Sequence, residues 1–93
     1  SHTIHCSMVS KYFSTVLIKR ALCKGNVICS ESENIVYVVK KSVTLSYQES
    51  FSILAEGRVV SLHTTFSDNT TKTYSLCLPI SPNNLYTLRL MDS

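Results

Sequence analysis

Four cysteines, three histidines and one glycan-acceptor triplet are the residues of this chain that could do chemistry. Cys6, Cys23, Cys29 and Cys77 form an even set with three possible connectivities. None of their spacings is C-x-x-C. Cys23 and Cys29 stand six apart with no histidine pair beside them, which argues against a structural zinc site. Two arrangements stay open: two disulfides outside a cell, or four buried thiols inside one. Asn69-Thr70-Thr71 fits the N-x-[ST] pattern of an N-glycosylation site. Asp68-Asn69 is also ordinary turn chemistry between two strands. A sequon arises readily in a Thr-rich chain, but an even cysteine count beside it favours the extracellular reading.

Catalysis finds little support. A nucleophile needs a base and an orienting group. His5 stands beside Cys6 and Ser7, yet adjacent strand residues point to opposite faces. His63 falls on the polar side of its alternating run, with Asp68 five residues on. The six carboxylates form no spaced pair, and two glycines in the whole chain leave no phosphate-cradling loop. The expectation is a non-enzyme with no catalytic residue, no cofactor and no metal.

The elements that must position these residues are strands. Ninety-three residues make one domain, which buries roughly 60–65% of its unfolded surface, so a crosslink helps. The expected domain spans residues 1–93, as a fragment of a longer or processed chain. Charged residues are 16% of the composition, against about 25% in an average globular domain. Ser and Thr take their place, a pointer to the secreted world. The net charge of +3 comes from scattered lysines and arginines, among them Lys19, Arg20, Lys40 and Lys41, read as solvated strand ends. Nucleic-acid domains concentrate such charge on one face, so no nucleic-acid partner is expected. No apolar run reaches the roughly 18 residues of a membrane span.

Period-two alternation recurs along the chain. It runs through Val43, Leu45 and Tyr47, then Phe51 and Ile53. Next come Val60, Leu62, Thr64 and Phe66, then Tyr74, Leu76, Leu78 and Ile80, then Tyr86, Leu88 and Leu90. Residues 35–39 are a continuous β-rich run suited to a strand covered on both faces. Gly25-Asn26, Glu33-Asn34, Glu56-Gly57, Asp68-Asn69 and Ser81-Pro82-Asn83-Asn84 separate the runs. The pattern predicts an all-β, Ig-like antiparallel β-sandwich. Residues 8–24 carry an alternative. Ser7 as a cap, a stripe of Val9, Phe13, Val16, Leu17 and Ala21, and Gly25 as a stop describe a helix and an α+β fold. Arg20 interrupts that stripe and residues 14–16 favour strand, so a strand over residues 13–20 is preferred.

In a sandwich the first and last strands are often neighbours, which makes Cys6–Cys77 a natural bridge. Cys23 and Cys29 flank Gly25-Asn26, so a tight hairpin could oppose them. Binding is expected through an exposed edge strand, which presents unpaired backbone groups. The C-terminal strand, from Leu85 and Tyr86 to Met91, is the edge expected, and Tyr12 and Phe13 are candidate anchors.

The segments "TIHCS", "FSTVLIK", "NVIC", "GRVVSLHTTF" and "TKTYSLCLP" together resemble the zona pellucida N-terminal (ZP-N) domain, as carried by placenta-specific and oocyte-secreted proteins. The likeness covers about 80 residues loosely. Cys6 matches that family's first cysteine and Cys77 its last, which pair with each other there. Departures are the closer and earlier Cys23 and Cys29, "SFSILAEG" in place of a Cys-Gly strand, and an added strand at residues 86–90. Alternation also turns Cys77 away from any core that holds Leu76 and Leu78. The resemblance implies an extracellular sandwich used for protein contact or assembly in egg coats and related matrices. The leading expectation is therefore a secreted or cell-surface, non-catalytic module that binds another protein or itself. The alternative is a cytoplasmic β-rich interaction domain of a scaffold or adaptor with free cysteines, since "GRVVSLHTTFSDNTTKTYSL" also resembles polo-box-like modules.

Overall fold

A computed structural model describes residues 2–5, 8–22, 28–81 and 85–92. Cys6, Cys23 and the turns at Gly25-Asn26 and Pro82-Asn83-Asn84 lie outside the described residues. Eight strands follow one another: β1 (His2–His5), β2 (Val9–Phe13), β3 (Val16–Ala21), β4 (Glu33–Ser42), β5 (Glu49–Ala55), β6 (Arg58–Thr64), β7 (Thr70–Pro79) and β8 (Leu85–Asp92). One 3-10 turn, Ser46–Gln48, precedes β5. Two four-stranded antiparallel sheets, ordered β1-β8-β5-β6 and β2-β3-β4-β7, pack as a sandwich. This is the all-β, Ig-like architecture that the alternation predicts.

The core lies between the sheets. Ile4, Phe51, Ile53, Tyr86 and Leu88 come from one; Phe13, Val16, Ile18, Val36, Val38, Leu76 and Leu78 come from the other. Period two supplies these residues: Val36 and Val38 on β4 stand opposite Leu76 and Tyr74 on β7. Ile35, on the outer face of β4, is as buried as its core-facing neighbours, as its apolar run implied.

Residues 8–24 do not form the alternative helix, nor is 13–20 a single strand. Ser14 turns the chain in the left-handed region, at φ 53°, and β2 folds back on β3. Lys19 and Arg20 are accommodated by a register shift between Ile18 and Arg20. This bulge leaves both charges outside and returns Ala21 to the core.

Val43, Leu45 and Tyr47 are not a strand either. The chain must cross here from one sheet to the other, and all three side chains are exposed. Leu45 adopts φ 53° and caps the 3-10 turn. Asp68 Oδ1 accepts the Ser46 N–H at 2.9 Å and the Val43 carbonyl accepts the Asn69 N–H at 3.0 Å, so the crossing is pinned to the β6–β7 connection.

Lys40 is no solvated strand end. Its side chain is 1% exposed. The ammonium donates to Lys41 O, Ser42 Oγ and Glu49 Oε1 at 3.1, 3.2 and 3.0 Å and sits 4.6 Å from the centroid of Phe66. The C-terminal strand is also not an edge. β8 lies between β1 and β5, since the first and last strands do pair, His2 opposite Leu88.

At the other end of β4, Asn34 Nδ2 donates to the Tyr86 hydroxyl at 2.7 Å. That hydroxyl donates to the Pro79 carbonyl at 2.7 Å. Tyr86→Phe leaves the buried Asn34 amide without its acceptor, while Asn34 Oδ1 already lacks a partner. The expected loss in urea unfolding is about 1–3 kcal/mol; an unchanged midpoint would show that the bridge contributes nothing.

Candidate functional site

Of the expected disulfides, neither Cys6–Cys77 nor Cys23–Cys29 forms. Cys77 is bonded to Cys29, with Cα atoms 5.7 Å apart. The reason is the alternation noted above. Leu76 and Leu78 occupy the core face of β7 and Cys77 faces outward, opposite Ile35. It therefore meets the segment that leads into β4, on the outside of the same sheet. β1 joins the other sheet, and its neighbour is β8. The pairing implied by the ZP-N resemblance is absent for the same reason.

Asn69 stands at the turn into β7, exposed, at φ 55°. Asn tolerates this left-handed position better than most residues. Thr70 Oγ1 donates to Ser67 O at 2.7 Å and closes the turn. The Asn69 side chain is thus presented at a loop tip.

The four candidate anchors part company. Phe13 and Tyr86 are core residues. Tyr12, on edge strand β2, is 57% exposed, and Leu85 is exposed beside it in kind but on a central strand. The structure does not gather the four into one surface.

His63 differs from its sequence reading. Pairing with β5 sets His63 opposite Phe51 and Ser61 opposite Ile53, so His63 faces inward and Leu62 outward. A register shift beside Ile53 and Leu54 leaves Val60 as the extra residue of the bulge. The imidazole lies between Phe51 and Tyr74, at centroid distances of 4.8 and 4.5 Å, and its Nε2 is 2.8 Å from Ser61 Oγ. Asp68, bonded to Ser46, does not orient it. A serine and a base thus meet, no carboxylate among the described residues is bonded to the ring, and the aromatic contacts describe packing. Among the described residues no cluster of His, Cys, Asp or Glu could hold a metal.

The surface feature that sequence alone missed is the edge at β6. The four edges are β1, β2, β6 and β7. Natural edges are guarded by shortness, lysine or proline. β1 has four residues, β2 carries Lys11, and β7 carries Lys72 and Pro79. β6 has no charge between Val59 and Thr64. Val59 and Leu62 are 53% and 60% exposed. Beside this edge opens a cleft of about 420 Å³, lined by Ala55, Val59, Val60, Pro79 and Ile80, with Glu56 and Arg58 at its rim. Alternation marked the strand, but edge position depends on which distant strands pair.

Burial, then the nearby Lys72 ammonium, lowers the His63 pKa. A depressed folded-state pKa means that the unfolded chain takes up the proton first. Stability from this group is complete above the ordinary value of 6.5 and is lost as pH falls through the folded-state pKa. Thermal melts of the wild type and His63→Gln between pH 7.5 and 5 should converge as pH falls. Parallel curves would remove His63 as the cause.

Compared with known proteins, the chain matches no protein-family model, no curated protein and no solved structure.

Proposed function

We propose that this chain is a non-catalytic, secreted or cell-surface interaction module that takes an extended segment of a partner protein onto the edge of β6. The observation that carries this reading is the unguarded edge itself: seven residues long, uncharged through its centre, and flanked by exposed Val59 and Leu62. A partner strand added there gains backbone hydrogen bonds. Its side chains meet the cleft of Val59, Val60 and Ile80 at one end of β6 and the exposed Leu62 further along. The partner segment is therefore apolar over a few residues.

The compartment is part of the same proposal. The Cys29–Cys77 bond and the exposed sequon at Asn69 both suit an oxidising, glycosylating environment. Recognition or assembly in an egg coat or related matrix is the finer proposal, and it rests on the ZP-N resemblance.

Two measurements test the reading. Material from a secretory pathway is denatured without reductant, alkylated and weighed before and after removal of N-glycans; no alkylation and a lost glycan are expected. Four alkyl groups and no glycan would move the chain inside the cell. Linear peptides selected from a random display library against the wild type should lose at least tenfold in affinity for Leu62→Lys and Val59→Lys, and keep it for Tyr12→Ala. Peptides that bind all three variants alike would remove β6 as the site.

A further inference from the structure

We propose that a second cleft, between the β6–β7 connection and the first half of β7, is a binding site for an acidic sugar: a saccharide unit bearing a carboxylate or a sulfate ester. The cleft measures about 280 Å³ and its walls include Thr65, Ser67, Thr71, Lys72 and Tyr74, with Phe66 beneath. That is at the lower end of ligand sites, roughly 300–1,000 Å³, and suits one or two rings better than a long chain.

Charge selects the ligand class. Lys72 stands directly opposite Lys40 across the β4–β7 ladder, and like charges so placed repel. Lys40 is neutralised by Glu49. Lys72 has no carboxylate partner among the described residues; its ammonium lies 5.3 Å from the centroid of Tyr74. The one carboxylate on the connection, Asp68, holds the Ser46 N–H. His63, behind Tyr74, carries no compensating negative charge. An anion in the cleft can therefore pair with the Lys72 ammonium.

The remaining groups select a sugar over a bare ion. Thr70 spends its hydroxyl on Ser67 O and Ser42 accepts from Lys40. The Ser67 hydroxyl bonds to nothing else among the described residues and can both donate and accept. Tyr74, half-buried, adds aromatic surface for the C–H face of a ring, while Phe66 is buried below it. Thr65 holds φ 60°, a rare conformation for a β-branched residue, at the point where the connection turns over the cleft. A free hydroxyl, one aromatic face and one ammonium without a carboxylate partner together match a polyhydroxylated anion.

The test is a titration of the ¹⁵N-labelled protein with a heparin-derived disaccharide, sialyllactose, lactose and inorganic sulfate as separate probes. At least one acidic sugar should shift the amide signals of Thr65, Ser67, Thr71 and Lys72 saturably, while lactose does not. Lys72→Gln should weaken that sugar at least tenfold. Lys41→Gln removes the same charge from an exposed position of β4 and should change affinity by less than twofold. Ser67→Ala should weaken the sugar and leave sulfate unchanged. Equal losses in the two lysine variants, shifts spread over Lys11, Lys19 and Lys41 alike, or sulfate binding as tightly as the sugars would overturn the proposal. Spectra of each variant without ligand report its fold independently.

Discussion

The buried ammonium of Lys40 is the constraint on which this sandwich turns. An ammonium has three protons, and all three are used, on Lys41 O, Ser42 Oγ and Glu49 Oε1. The first two acceptors belong to its own strand. The third is the first residue of β5, in the opposite sheet. Phe66 closes the site from the β6–β7 connection. One charge thus ties β4, the start of β5 and a loop at the end where the chain changes sheets. Such pairs rarely add net stability over an apolar replacement, but removing one partner from a deeply buried pair costs about 3–5 kcal/mol. Glu49 keeps some solvent, which softens that figure here. The pair therefore acts more on which arrangement forms than on how stable it is. A slip of β4 by one residue would turn Lys40 to solvent and strand Glu49.

The Asn34–Tyr86–Pro79 bridge does the same at the other end. Asn34 and Lys40 are six residues apart on one face of β4, about 20 Å at the usual rise. Val36 and Val38 lie between them and make only non-directional contacts. Apolar packing alone would accept small shifts of one sheet over the other. Polar contacts at both ends do not, because each unmade hydrogen bond would leave a buried group unsatisfied. The core is apolar in its middle and specified at its ends.

Local alternation made much of this legible in the sequence, and long-range pairing hid the rest. Leu76, Leu78, Tyr86 and Leu88 could be placed on inner faces because period two is a property of the strand alone. The outward direction of Cys77 followed from the same rule, and it is that direction which sets its pairing with Cys29. Whether β8 is an edge depends on β1 returning to lie beside it, which no local pattern records. Lys40 looks like any strand-end lysine until Glu49 and Phe66 arrive from elsewhere. His63 changed faces because pairing with Phe51 and a bulge at Val60 reset the register of β6. Val43, Leu45 and Tyr47 alternate well but lie where the chain crosses between sheets, so there is no neighbour to pair with. The β6 edge and the Lys72 cleft were illegible for the same reason: both are made of residues that only the strand order brings together.

The disulfide and the open edge are two sides of one balance. Cys29–Cys77 closes a loop spanning 48 positions, which by the chain-entropy model contributes about 4 kcal/mol. Domains of this kind hold roughly 5–15 kcal/mol in total, so the bridge is a sizeable fraction. It lies on the outer face of the β2-β3-β4-β7 sheet, where it reinforces the longest pairing in the molecule, ten residues of β4 against ten of β7. β6 is held differently, by β5 on one side alone and with a bulge in that ladder. A fold that relied on every strand equally would have to bury Val59 and Leu62. Here the crosslinked sheet supplies the rigidity, and β6 can leave both side chains and one row of backbone groups exposed. Held on one side and through an irregular ladder, β6 leaves a row of backbone groups and two apolar side chains for a partner.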